Sequence, residues 1–192
     1  VLMYLPANSE KWQELARFDE KSDRSFQPLA FAADNQSVFG LSNLSSNTRA
    51  IARLDLASKQ QEILAEHPRT DVTPIISIEN GQLTDVIGAS YEYDNIETIF
   101  FDNANHSAFG KALQGLMAAF PGKNVSITSV TRDNQLAVVQ VSSVNQDNVF
   151  YLFDLTNNQL AYLLNARPWL KDAVLPQTKL VMVQPAVARA DP

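Results

Sequence analysis

Cysteine is absent from the sequence, which removes disulfides, thiolate nucleophiles and cysteine-ligated zinc together. That absence fits cytoplasm or periplasm and selects neither. Histidine is nearly absent. His67 sits in a Glu-His-Pro-Arg stretch and His106 stands alone, so neither has a second histidine at zinc-ligand spacing. No apolar run approaches the roughly 18 residues that a membrane-spanning helix requires. Basic stripes are missing too, and the net charge is −6. Nothing here would neutralise nucleic-acid phosphates or an anionic membrane surface, so neither is expected as a partner. Gly88-Ala89-Ser90-Tyr91-Glu92 begins like a nucleophile elbow but lacks its closing glycine. Gly110 and Gly115 have P-loop spacing, yet Leu116-Met117 follow where Lys-Ser/Thr is required. The expectation is no catalytic, cofactor-binding or metal-ligating residue in this chain.

What the chain does have is repetition. Asp34-Asn35-Gln36 returns as Asp133-Asn134-Gln135, and Leu54-Asp55-Leu56 returns as Phe153-Asp154-Leu155, both 99 positions later. A blurred copy lies between them, with Glu79-Asn80-Gly81-Gln82 as its turn and Ile99-Phe100-Phe101-Asp102 as its later strand. Met3-Tyr4-Leu5 reads as the tail of one more copy. A unit recurring about every 47–50 residues predicts a repeat architecture. The opening residues, Val1 to Pro6, carry no basic leader and read as mid-strand, so a chain cut from something longer is expected.

Each unit predicts four short strands separated by turn residues. The first full unit has Pro28-Leu29-Ala30-Phe31, Ser37-Val38-Phe39-Gly40-Leu41, residues 49–56, and Gln61-Glu62-Ile63-Leu64-Ala65. The later copy begins at Val125-Ser126-Ile127-Thr128 and ends at Gln159-Leu160-Ala161-Tyr162-Leu163-Leu164. Several runs are apolar at consecutive positions, which marks strands covered on both faces. Helices are too few to supply that cover, so other sheets must. The fold class expected is all-β: a β-propeller segment of four-stranded antiparallel blades, three near-complete and one partial. The approximate units are 1–18 (partial), 26–66, 74–120 and 124–165, followed by an exit segment at 166–192. One helix is expected over 106–120, because Phe109, Leu113, Leu116 and Phe120 share a face and Pro121-Gly122 stops it. It should replace part of the third unit's outer region and pack against that blade's edge. A helical turn is expected around Trp169-Leu170-Lys171-Asp172.

Asp55, Asp102 and Asp154 recur at strand ends just before turns, which assigns them to turn chemistry rather than to a metal. The carboxylate pairs Asp19-Glu20 and Glu92/Asp94 fall in loops. Tyr91-Glu92-Tyr93-Asp94 is a candidate contact at a loop rim, as are the loops at 19–25, 66–73 and 142–148.

The C-terminal part carries a resemblance. Ala119-Phe120-Pro121-Gly122-Lys123-Asn124 leads through the Asp133 unit to Tyr151-Leu152-Phe153-Asp154, then to Ala166-Arg167-Pro168-Trp169-Leu170 and Lys179-Leu180-Val181. This succession resembles the propeller half of bacterial serine peptidases of the prolyl oligopeptidase family, including acylaminoacyl-peptidase-like and dipeptidyl-peptidase-like members. The resemblance implies an α/β-hydrolase domain beyond Pro192 that holds the whole catalytic triad. It implies a non-catalytic propeller that gates peptide access, with the hydrolase domain and peptide substrate as partners. The alternative is a TolB-like binding or scaffold propeller with no enzyme attached. A cut array exposes apolar blade faces, so self-association is also expected.

Overall fold

The computed structural model describes residues 1–19, 21–93, 96–143 and 145–170, with 173, 175, 176, 181 and 183. The strand expected at Lys179-Leu180-Val181, most of the exit segment, Glu20 and Asp94 lie outside the described residues or at their margin. The fold is all-β apart from one helix, arranged as antiparallel sheets formed by consecutive strands. β1 (Leu2–Tyr4) and β2 (Gln13–Ala16) form a hairpin. β3 (Phe26–Phe31), β4 (Ser37–Ser42), β5 (Ala50–Asp55) and β6 (Gln61–Ala65) form a four-stranded sheet. β7 (Thr73–Glu79), β8 (Gln82–Glu92) and β9 (Ile96–Phe100) form a three-stranded one. After α1 (Ala108–Ala119), β10 (Asn124–Val130), β11 (Leu136–Ser143), β12 (Gln146–Asp154) and β13 (Gln159–Asn165) complete the second four-stranded sheet.

The 99-residue echo extends to single hydrogen bonds. The Ala32 amide donates to the Ser37 carbonyl at 2.9 Å, and the Thr131 amide to that of Leu136 at 2.8 Å. Leu56 donates to the Gln36 carbonyl as Leu155 does to that of Gln135. Asn35 and Asn134 sit at φ 55° and 57°, and Lys59 and Asn158 at 59° and 54°. A left-handed residue costs about 1–2 kcal/mol for most side chains, and asparagine tolerates it because its amide bonds locally. The turns therefore set the register of each hairpin, and register decides which side chains face the core.

Alternation along the central strands then connects the sheets. On β8, Val86 faces the first four-stranded sheet and packs with Phe39, Ile51 and Ala65, while Ile87 faces the other way toward α1 and the last sheet. On β4 and β5, Val38 and Ala52 turn to the β1–β2 hairpin, and Phe39 and Ile51 turn to the β7–β9 sheet. Ile51 and Val86 are 0% exposed. Each such side chain contributes about 1.5–3 kcal/mol through burial.

One feature departs from the sequence reading. The third unit has three strands, and the chain leaves β9 into a 3-10 segment, Asp102–His106, so that this segment and the helix take the unit's outer position. Asp102 therefore opens a helical turn instead of ending a strand before a hairpin. The helix lies beside β7, the edge strand of the third sheet, and its residues Phe109, Leu113 and Leu116 reach further. They pack with Ile127, Val139 and Phe153 of the last sheet and with Ile87 of β8. The reason is the 3-10 segment: Ala104 is fully buried, and Asn103 donates to Asp85 at 2.8 Å and to the Val86 carbonyl at 3.1 Å. That anchors the chain across β8 and delivers the helix between two sheets. Ser107 caps the helix by accepting the Gly110 amide at 2.8 Å. The helical turn at Pro168–Leu170 is present.

The two helix glycines are not equivalent. A Cβ on Gly110 would overlap the Ala104 carbonyl and approach the Ala104 Cα to 2.9 Å, whereas one on Gly115 would meet nothing within 4 Å. Gly115→Ala should stabilise the chain by about 1 kcal/mol through helix propensity. Gly110→Ala should destabilise it by about 1–3 kcal/mol through overpacking despite the same propensity gain. Urea denaturation of both variants checks the opposite signs.

Candidate functional site at the loop end of the sheets

Antiparallel strands alternate direction, so the connections divide between two ends. One end carries the tight turns at 32–36, 56–60, 80–81, 131–135 and 155–158. The other carries the longer loops at 17–25, 43–49 and 66–72, the β8–β9 turn, residues 120–123 and the β11–β12 turn. The three loops singled out at 19–25, 66–73 and 142–148 all belong to this second end.

Side chains tie these loops to one another. Arg24 donates to the Asn43 carbonyl at 2.6 Å, to the Ser46 carbonyl, and to Asn47 Oδ1 at 3.1 Å. Asn43 Oδ1 accepts the Ser25 amide at 2.7 Å. Thr48 Oγ1 donates to the His67 carbonyl at 2.6 Å, and Asp71 Oδ1 accepts the Arg49 amide at 2.8 Å. Lys123 Nζ donates to Gln146 Oε1 across the last sheet. The loop end is therefore pinned by polar contacts to carbonyls, which sets its shape without an apolar core beneath it.

One cluster stands out there. The His67 ring stacks on Tyr91 with centroids 4.6 Å apart and leans on Tyr93 at 5.6 Å. Arg69 Nη1 donates to the Tyr93 hydroxyl at 2.8 Å and lies 5.6 Å from that ring's centre. Tyr91 donates to Glu97 Oε2 at 2.6 Å, and that bond to a carboxylate, aided by burial, raises the phenol above its ordinary 10.0. His67 Nδ1 accepts the Arg69 amide at 3.3 Å, so the neutral ring carries its proton on Nε2. The arrangement offers aromatic faces, a cation and a carboxylate within one loop cluster. It suits binding by stacking and hydrogen bonding.

The structure joins two sequence candidates that had no visible link. His67 and the Tyr91-Tyr93 pair come from different connections 24 residues apart yet share one ring stack. Arg69 and Glu97 were missed. Glu97 was findable from hairpin register, since it sits directly opposite Tyr91 on β9. The other candidates are dispersed. Ser90 lies mid-strand in β8 between Thr73 and Thr98, with no elbow. His106 ends the 3-10 segment. Among the described residues, no group of three or more His, Asp or Glu is placed to hold a metal.

The recurrent aspartates are turn devices at the opposite end. Asp55 accepts the Ser58 amide at 2.7 Å, the Ser58 hydroxyl at 2.8 Å and the Ala57 amide at 3.1 Å. Asp154 accepts the Asn157 side chain and the Asn157 and Thr156 amides, all at 2.9 Å. The Ser58 backbone and hydroxyl donors hold Asp55 below the usual carboxylate value of 3.8, and the Asn157 side chain and amide do the same for Asp154. A depressed folded-state pKa gives stability that is present above 3.8 and is lost as pH falls through the lower folded value. A double variant, Asp55→Asn with Asp154→Asn, should therefore unfold at lower urea than the native chain at pH 7. The difference should shrink as pH falls below 3.8 and through the lower folded value, where the native aspartates take up protons too. Urea midpoints measured along that descent decide it.

An all-β protein of consecutive antiparallel sheets, with its polar and aromatic loops gathered at one end, is what these features define. The chain is similar to dipeptidyl aminopeptidase BIII of Pseudoxanthomonas mexicana, at 22% identity over 160 residues. The match covers 83% of this chain and spans 22% of that relative's length. No protein-family model matches the chain. The likeness is therefore to a segment of a peptidase, at low identity.

Proposed function

We propose that this chain is a non-catalytic β-propeller segment of a prolyl-oligopeptidase-like serine peptidase, and that its loop end restricts which peptides reach a hydrolase active site held elsewhere. The observation that carries this reading is the match to dipeptidyl aminopeptidase BIII over 83% of the chain and only 22% of the relative. That pattern supports a reading of the chain as one part of a larger peptidase. The four-stranded meanders, repeated at 99 residues with the same turn hydrogen bonds, support a blade-like unit. Gating follows from the pinned loop end: a rigid set of loops excludes folded proteins by size, and the His67–Tyr91–Tyr93 stack offers short peptides a surface to bind.

The test is in the parent protein. Tyr91→Ala with Tyr93→Ala should change kcat/KM for long peptides relative to dipeptide substrates by about tenfold, the scale of one lost aromatic contact set. An unchanged ratio discards the gating role. The residues encoded after Pro192 separate this reading from a TolB-like scaffold. A Gly-x-Ser-x-Gly elbow followed by Asp and then His supports the peptidase, and their absence supports the scaffold.

The repeat also supports continuation of the stack. Phe39 and Ile51 on the first four-stranded sheet are covered by Val86 and Ala89 of the next sheet. Their counterparts 99 residues on, Val138 and Phe150, lie on the outer face of the last sheet beside Leu152 and Leu164, which are 36% and 45% exposed. The 192-residue chain by itself should associate through this face. Sedimentation should show dimers or larger species at about 100 μM, and Leu152→Lys should shift them toward monomer by placing a charge in the contact.

A further inference from the structure

The three-stranded sheet leaves an edge that its neighbours do not have. Among the described residues, no strand pairs with the outer side of β9. The Phe101 amide donates to the Ile87 carbonyl at 2.9 Å, which fixes the alternation along β9. Residues 97, 99 and 101 turn their backbone groups toward β8. Those of Thr98 and Phe100 point outward, unpaired. Proteins usually blunt such an edge with lysine, proline or a bulge. β9 reads Ile96-Glu97-Thr98-Ile99-Phe100, and its single charged side chain is held by Tyr91. Ile96 and Ile99 are 40% and 42% exposed.

Beside this edge runs a groove lined by Phe39, Leu64, Phe100 and Phe101, with Arg53 and Glu62 on its wall. Arg53 is paired to Glu62 at 2.9 Å. The groove lies over the outer part of the preceding sheet, where a fourth strand next to β9 would rest on Leu64 of β6. The two complete sheets show what occupies that position elsewhere. It is Gln61-Glu62-Ile63-Leu64-Ala65 in one and Gln159-Leu160-Ala161-Tyr162-Leu163 in the other. Glu62, Glu97 and Asp102 outnumber Arg53 around the edge, which favours a basic occupant.

We infer that β9 is a strand-acceptor site. An extended peptide with apolar residues at alternate positions and a basic flank adds to Thr98 and Phe100 as the fourth strand and buries its apolar side chains over Leu64 and Phe101. The site stands on the described fold and is independent of the peptidase reading.

The experiment uses the 192-residue chain and a labelled peptide, Lys-Gln-Leu-Ala-Tyr-Leu-Leu-Asn-Lys, built from the chain's own last strand. Amide hydrogen exchange in the free chain should be fast at Thr98 and Phe100 and slow at Ile99. Saturating peptide should slow Thr98 and Phe100 at least tenfold and leave Ile99 unchanged. A peptide N-methylated at alternate positions should bind at least tenfold more weakly, and this arm needs no variant of the protein. Thr98→Pro removes an outward amide without breaking a β8–β9 bond, and it should weaken binding as much with an unchanged circular dichroism spectrum. Three results overturn the inference: no binding at millimolar peptide, equal binding of the N-methylated peptide, or Thr98 and Phe100 already protected in the free chain. The last would mean that another segment or a second copy holds the edge.

Discussion

The two middle sheets of this molecule are covered on both faces, and the adjacent pairs Val38/Phe39, Ile51/Ala52 and Val86/Ile87 are how that cover is made. In a strand, neighbouring side chains point to opposite faces. Two consecutive apolar residues therefore commit a strand to two different cores. The first of each pair, or the second, joins one neighbouring sheet, and the other joins the next. The sheets cannot be stable singly, because each buries half of its apolar surface against a partner. The loops, the helix and the exposed ends are consequences of this single constraint.

The two ends of the sheets have separate roles because their connections have different chemistry. At the turn end, aspartate carboxylates and left-handed asparagines close each hairpin within a few residues, leaving little to vary. Asn80 and Asn134 even bond each other there, the Asn80 amide to Asn134 Oδ1 at 2.7 Å and the Asn134 side chain back to Asn80 at 3.0 Å. That contact locks two sheets at their turns. At the loop end, Arg24, Thr48, Asp71 and Lys123 satisfy carbonyls and amides of longer connections. Longer connections can carry side chains that the fold does not need, such as the ring stack of His67 with Tyr91. The proposed recognition surface falls there because loops on a rigid scaffold are free to differ.

The third unit breaks the pattern, and its break is costly only in part. Replacing the fourth strand by a 3-10 segment and a helix still fills the space between two sheets, since Phe109, Leu113 and Leu116 supply the apolar face that strands would have supplied. What the helix cannot supply is a hydrogen-bonding partner for β9. Apolar cover and backbone pairing are separate requirements, and here one is met without the other. The irregular unit is thus the place where the scaffold departs from self-sufficiency.

Much of this was legible in the sequence, for a physical reason: turns and alternation are local. The echo of Asp34-Asn35-Gln36 in Asp133-Asn134-Gln135 marked the hairpins, consecutive apolar residues marked the doubly covered strands, and Phe109, Leu113, Leu116 and Phe120 marked the helix. Asp55 and Asp154 were legible as turn residues because their partners lie within three positions. Tertiary structure alone decided the rest. The helix bridges the edge of the third sheet and the last sheet because Asn103 found Asp85 and Val86 across the chain, and no period in the sequence encodes that contact. His67 met Tyr91 and Tyr93 because two loops converge at one end of the sheets. Among the described residues, the outward amides of Thr98 and Phe100 have no strand beside them, because the chain leaves β9 into the 3-10 segment. Local patterns determine what each segment is, and packing between distant segments determines which of its groups are left to act.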